Sequence, residues 1–219
     1  MSTVLLTGWC GTTFAKMASH TLPLMEGYAG RHGMTFCAVN LAGPRPPSWQ
    51  KVYSLHQALQ DFDTAVWIDA DVVIMDASAN IADELTPDAW QGLVEHDTES
   101  GRVPNCGVWV CRREMLPTLT DIWNAERHIG HWWWEQAAIL ERMGYLVTDE
   151  PRATLDSPTT LFERTTFLNA TWNHHPRDAR RVEQPRFVHV TMYADRVAEC
   201  RRLANLAAEN AAESVGRPS

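Results

Sequence analysis

Short apolar runs alternate along this chain with longer stretches whose apolar positions recur every three or four residues. Residues 4–7 read as a buried strand ended by Gly8, and residues 13–31 as a helix interrupted near Pro23 and stopped by Gly33. Residues 34–39 form a second strand. The breaker Gly43-Pro44-Arg45-Pro46-Pro47 follows, and Ser48 is placed to cap a helix over 49–60 with Val52, Leu55, His56 and Leu59 on one face. Residues 65–68 are a third strand, 77–90 a short helix and turn, 90–94 and 108–111 strands, and 96–104 a polar loop between them. Met115, Leu116, Leu119, Ile122 and Trp123 share a helical face. Residues 132–143 read as a helix ended by Gly144, and 145–147 and 186–190 as strands, with weak periodicity over 151–185. An Ala-rich amphipathic helix spans 194–214. Strands alternating with helices predict an α/β fold with a mostly parallel central sheet and helices on both faces, one domain over 1–214 and a frayed tail at 215–219.

One segment stands out against this pattern. In Trp67-Ile68-Asp69-Ala70-Asp71-Val72-Val73, an apolar strand runs into two carboxylates spaced i, i+2 and an apolar run resumes. Desolvating unpaired carboxylates costs several kcal/mol each, about 3–5 when a buried partner is missing. A hard divalent cation is the usual compensation, either Mn²⁺ or Mg²⁺, and such ions commonly arrive with substrate phosphates. A capping or turn role for the pair is the alternative.

Composition narrows the field. The 219 residues suffice for one full core, and 45% hydrophobic content is ordinary for a globular protein. The net charge of −8 counts against broad attachment to nucleic acid or anionic membrane, unless Arg177, Arg180 and Arg181 form a local basic groove. No basic leader precedes an apolar run at the N-terminus and no apolar stretch is long enough to span a bilayer, so the expected setting is cytoplasmic, with no membrane partner. Five cysteines without a CxxC pair fit reduced thiols, with Cys106 and Cys111 in the core. Consecutive helical positions point about 100° apart, so Trp132-Trp133-Trp134 cannot all bury in one core, and at least one should face a cleft or partner. Trp172 is a candidate to line such a cleft, whereas adjacent His174 and His175 are poorly disposed to share one ion.

Two metal chemistries fit the carboxylates. Asp69-Ala70-Asp71-Val72-Val73 matches the pattern of haloacid dehalogenase-type phosphatases, where Asp69 would be the nucleophile and Asp71 the acid/base. That motif normally follows the first strand, and here a strand-helix-strand-helix unit precedes it; both lysines, Lys16 and Lys51, also lie upstream. In glycosyl transfer from a nucleotide sugar, the ion instead stabilises the leaving diphosphate, and the preceding βαβ unit holds the nucleotide at the strand ends. Thr7, Gly8 and Trp9, ending the first strand, stand where a nucleoside would then lie. A non-catalytic nucleotide- or glycan-binding protein using the tryptophans is a third possibility.

Four segments in order sharpen this choice: Pro47-Ser48-Trp49-Gln50-Lys51 leading to Trp67-Ile68-Asp69-Ala70-Asp71, then Asn105-Cys106-Gly107-Val108-Trp109, then Trp134-Glu135-Gln136-Ala137-Ala138, then Phe187-Val188-His189-Val190. Together they resemble the GT-A glycosyltransferases, most closely the retaining galactosyl- and xylosyltransferases of fungi and plants, and more distantly the glycogenin type. The resemblance implies a single-domain GT-A fold. It implies a metal site of Asp69, Asp71 and His189, the imidazole favouring Mn²⁺ over Mg²⁺. Lys51, Asp69, Ala70, Asn105 and Gly107 would approach a nucleotide-diphospho-sugar, the expected donor being UDP-linked. Gln136 and Glu135 would work beside the anomeric carbon. The acceptor is left open among glycan, small molecule, protein and modified nucleobase, as is the oligomeric state.

Overall fold

The computed structural model describes residues 1–98, 101–180 and 182–216. Strand β1 (Thr3–Trp9), helix α1 (Gly11–Arg31), strand β2 (Thr35–Asn40), helix α2 (Pro47–Asp61) and strand β3 (Thr64–Ile68) open the chain. After the carboxylates come β4 (Val72–Ile74), β5 (Gln91–Thr98), β6 (Gly101–Arg112), α3 (Leu116–Asn124) and α4 (Glu135–Met143). The remainder comprises β7 (Tyr145–Val147), β8 (Ala153–Leu155), α5 (Thr160–Glu163), β9 (Thr165–Leu168), β10 (Phe187–His189) and α6 (Arg196–Gly216).

The central sheet has the order β2-β1-β3-β6-β5-β9. Its β6 pairs antiparallel with both neighbours, and the other pairings are parallel, so five strands point one way. Alternation in β1 and β3 serves both faces. Val4, Leu6, Ala65 and Trp67 pack toward α2, α3 and α4, whereas Leu5, Val66 and Ile68 pack toward α1. Burial on both faces is why these strands read as unbroken apolar runs. A small antiparallel pair, β4 with β10, packs between α1 and α6 through Met17, Val73, Val188, Cys200 and Leu203.

Several elements differ from their sequence pattern. Helix α1 runs unbroken through Pro23. That proline lies on the exposed face, where water can satisfy the carbonyl its missing N–H leaves free. Pro46, not Ser48, occupies the cap position of α2 and Pro47 opens the helix; the Ser48 hydroxyl is buried without a partner. Residues 96–98 and 101–104 belong to β5 and β6 rather than to a loop, with His96 opposite Val103 and an Arg102–Glu95 ion pair of 2.8 Å; residues 99 and 100 lie outside the described residues. The three tryptophans precede α4 rather than belonging to it. His131 accepts through its ring from Trp133 N and through its carbonyl from Trp134 N, a local turn that competes with helix. Gly144 does terminate α4, at φ +97°. Helix α6 continues past residue 214 to Gly216, and residues 217–219 lie outside the described residues.

Candidate active site

The parallel strands β1 and β3 end at the same edge of the sheet, and the connections after them carry the chemistry. Ile68 of β3 pairs with Val108 of β6, so the next residue, Asp69, meets Gly107 and donates its backbone N–H to the Gly107 carbonyl at 2.7 Å. Two residues on, β4 pairs with β10 in a register that sets His189 opposite Val72, immediately beside Asp71. Pairing in two separate sheets therefore draws Asp69, Asp71 and His189 together, and one donor atom from each lies within 4.8 Å of the other two. Donors on opposite sides of one ion with bonds of about 2.1 Å stand about 4.2 Å apart, so the trio needs only small adjustments to share an ion.

The donor set suits a hard or borderline cation. Asp71 and His189 are both buried. His189 Nε2 is 3.4 Å from Asp71 Oδ1, and His189 Nδ1 is buried with no hydrogen-bond partner. Burial opposes ionisation of Asp71, but the charges of His189 and Arg196 outweigh it and hold the carboxyl below its ordinary range. His189 is raised in turn by Asp71 against the effect of burial. A bound cation would replace the imidazolium proton as the partner of that carboxylate. Gly107 is required here, because a Cβ on it would come within 2.4 Å of His189 Cε1.

Asp69 faces the other way as well. Its Oδ1 accepts from Trp67 Nε1 at 2.6 Å and from Lys51 Nζ at 2.9 Å. Lys51 is buried, and its ammonium also lies 2.9 Å from Glu135 Oε1 and donates to the Cys106 carbonyl at 3.2 Å. Burial alone would lower this lysine; Asp69, Cys106 and Glu135 together hold it well above its usual range. Burial and the adjacent Glu135 raise the Cys106 thiol, which stays protonated and donates to Glu135 Oε1 at 3.2 Å. Glu135 Oε2 is buried with no partner.

Two cavities border these groups. The first, about 330 Å³, is lined by Gly8, Trp9, Lys51, Asp69, Ala70, Trp134 and Glu135 among others. Thr7 is fully buried and does not line it. The second, about 690 Å³, is bordered by Asn105, Trp132, Trp133 and Gln136. Gln136 Oε1 accepts from Asn105 Nδ2 at 3.0 Å, and Asn105 Oδ1 accepts from Gly107 N and Asn173 Nδ2, each at 2.9 Å. Residues 132–136 thus stand between the cavities, Trp134 and Glu135 lining one and Trp132, Trp133 and Gln136 the other. Trp134 has φ +45°, rare for a residue with a Cβ and a recurrent feature of functional segments. A larger hollow of about 790 Å³, between Trp172 and α6, includes none of Asp69, Asp71 and His189. Trp172 lines neither of the two cavities at the site; it is buried and packs edge-on against Phe187.

Sequence reasoning missed Arg196 and Asn173. Arg196 Nη1 lies 3.3 Å from Asp71 Oδ2, and its guanidinium rests over Phe14. A signal existed: a basic residue opening a long helix opposes the macrodipole and calls for an acidic partner. Asn173, buried among residues with weak periodicity, offered none. Of the suggested basic groove, only Arg177 and Arg180 are among the described residues. Arg180 is paired with Asp178, Arg177 borders the second cavity, and Arg181 lies outside the described residues. No described helix is long and apolar enough to cross a membrane.

No protein-family model matches the chain, and no curated protein sequence does. Comparison in three dimensions finds solved glycosyltransferases. A glycosyltransferase involved in glycosylating the major capsid of PBCV-1 superposes with a TM-score of 0.69 at 16% identity, over 94% of this chain and 100% of that one. The galactosyltransferase LgtC, solved with donor and acceptor sugar analogues, gives 0.57 at 11% identity, over 94% and 95%. Mouse xyloside xylosyltransferase 1 gives 0.51 at 12% identity, over 88% and 98%. At these identities the likeness is one of architecture, and by that measure the chain has the fold of the GT-A glycosyltransferases.

Proposed function

We propose that this protein is a metal-dependent glycosyltransferase that moves a sugar from a nucleotide-diphospho-sugar, UDP-linked, to an acceptor hydroxyl with retention of configuration. The observation that carries the proposal is the convergence of Asp69, Asp71 and His189, with Asp69 also lining a cavity formed where β1 and β3 end. Ligands collect at the carboxyl ends of parallel strands in such sheets. Asp69, Asp71 and His189 would hold Mn²⁺ or Mg²⁺, the nitrogen ligand favouring Mn²⁺. When bound, the ion neutralises charge that develops on the leaving diphosphate.

Gly8 and Trp9 would flank the nucleoside. Lys51 fixes Asp69 and Glu135 in one orientation. The unpartnered Glu135 Oε2 is then an acceptor for a donor-sugar hydroxyl. Gln136, anchored by Asn105, lines the second cavity next in sequence to Glu135 of the first, and would stand where the anomeric carbon passes from donor to acceptor. Entry of the acceptor on the side that the diphosphate leaves accounts for retention without a protein nucleophile. Arg196, adjacent to Asp71, adds positive charge beside the diphosphate. The strand position of the carboxylates and the glycosyltransferase fold favour this reading over the phosphatase.

The test is a thermal-shift series with Mn²⁺ and a nucleotide panel, joined to mass-spectrometric detection of donor hydrolysis. Mn²⁺ together with a nucleoside diphosphate should raise the melting temperature more than either alone. Metal-dependent nucleotide binding and donor hydrolysis that survive both Asp69→Ala and Asp71→Ala would refute the proposal.

A further inference from the structure

The second cavity differs in charge from the rest of this acidic protein. The chain carries 27 carboxylate side chains against 19 lysines and arginines. Yet none of the described residues lining this cavity is acidic. Its polar lining is Asn105, Gln136, His96, His175 and Arg177. Both histidines are buried, His96 with its Nε2 hydrogen-bonded to the Asn173 carbonyl at 2.7 Å. Arg177 is exposed, makes no ion pair among the described residues, and is the one residue among lysines, arginines and carboxylates in this lining.

The apolar wall is equally specific. Trp132 is 72% exposed and Met192 43%, and both border this cavity, with the partly buried Trp133 beside them. A large aromatic ring left open to water next to a cavity is a stacking platform, and single exposed tryptophans elsewhere are rare in this chain. Stacking needs a ring-shaped ligand, and Arg177 needs an anion, matched by a bidentate carboxylate or phosphate.

We infer that the second cavity selects an anionic sugar acceptor, its pyranose ring against Trp132 and its carboxylate or phosphate on Arg177. This rests on the glycosyltransferase reading and names the acceptor class for the same site. A polynucleotide satisfies the same two contacts less well, because one unpaired arginine on a chain of net charge −8 gives little of the backbone neutralisation on which such binding depends.

The experiment measures binding and turnover separately. Full-length protein with Mn²⁺ and UDP is titrated with p-nitrophenyl β-glucoside, p-nitrophenyl β-glucuronide, glucose 6-phosphate and a short single-stranded oligonucleotide, followed by tryptophan fluorescence and calorimetry. The same acceptors are then offered with the donor. The glucuronide or the sugar phosphate should bind about fivefold more tightly than the glucoside, the scale of one exposed charge pair. Arg177→Gln should bring that ratio to about one, and Trp132→Ala should weaken every sugar ligand. Preference between glucuronide and glucose 6-phosphate identifies the anion. Equal binding of the glucoside, an undiminished ratio in Arg177→Gln, or stronger binding of the oligonucleotide would overturn the inference. Because binding is read without turnover, a protein that selects anionic sugars yet hydrolyses no donor would refute the transferase reading and leave the cavity assignment standing.

Discussion

Gly107 lies directly beneath the imidazole of His189, so close that a Cβ on the glycine would come 2.4 Å from Cε1 and 2.8 Å from Nδ1 of that ring. The two residues belong to different sheets, and their contact fixes where the third donor of the proposed metal site stands. Gly107→Ala must push the ring away or shift β6. Overpacking of this kind costs about 1–3 kcal/mol. The variant should remain folded, with a lower urea midpoint and weakened Mn²⁺ binding in a calorimetric titration. Wild-type Mn²⁺ affinity in this variant would show that the contact does not position His189.

Asp71 is the most enclosed of the three donors, held by His189 and Arg196. Asp71→Asn keeps the volume and removes the charge that the cation needs. In the wild type, Mn²⁺ at about a hundred times its dissociation constant should add about 2.7 kcal/mol of stability, reversed by a chelator. In Asp71→Asn that increment should vanish. Differential scanning calorimetry with and without EDTA reads both effects.

Lys51 is a buried cation between two carboxylates, and its removal strands them. Lys51→Met should cost about 3–5 kcal/mol, the range for breaking a buried ion pair from one side. Lys51→Met combined with Glu135→Gln should recover part of that loss, because the second change removes one uncompensated charge. Chemical denaturation of the two single variants and the double variant tests this as a cycle. Additive losses would mean that the lysine does not act through Glu135.

Stability should fall on acidification earlier than carboxylate titration alone predicts. His96 donates from Nε2 to the Asn173 carbonyl at 2.7 Å, and burial brings its folded pKa to about 3. The unfolded ring titrates near its ordinary value of 6.5. Between those values the unfolded chain binds the proton and the folded one does not, so stability is full above about pH 6.5 and declines as pH falls toward 3. From pH 6.5 to 5 the loss from His96 should be about 2 kcal/mol. His175, depressed to about 4, contributes with the same sign. His96→Gln keeps a donor for Asn173 and cannot titrate, so its urea midpoint should change less between pH 7 and 5 than that of the wild type.

The strands of the sheet were legible because burial on both faces demands unbroken apolar runs such as residues 65–68, which no other local structure explains as well. The proposed carboxylate site was legible for the converse reason, since Asp69 and Asp71 interrupt such a run. The strand character of 96–98 and 101–104 was not, because their polar residues are accommodated by partners that the local pattern does not show, His96 by Asn173 and Arg102 by Glu95 across the strand pair. The start of α4 was missed because a local turn at His131 overrides helical propensity.

The order and type of the main elements, the position of the paired aspartates and the candidacy of His189 follow from the amino-acid sequence itself, because periodicity and burial of charge are local properties of the chain. Tertiary structure alone decided that His189 stands over Gly107, that Lys51 is buried between Asp69 and Glu135, that Arg196 reaches Asp71, and that residues 132–136 divide two cavities. Each of those depends on strand register and on contacts between residues far apart in sequence. Pairing within two separate sheets specifies them, and no single segment carries that information.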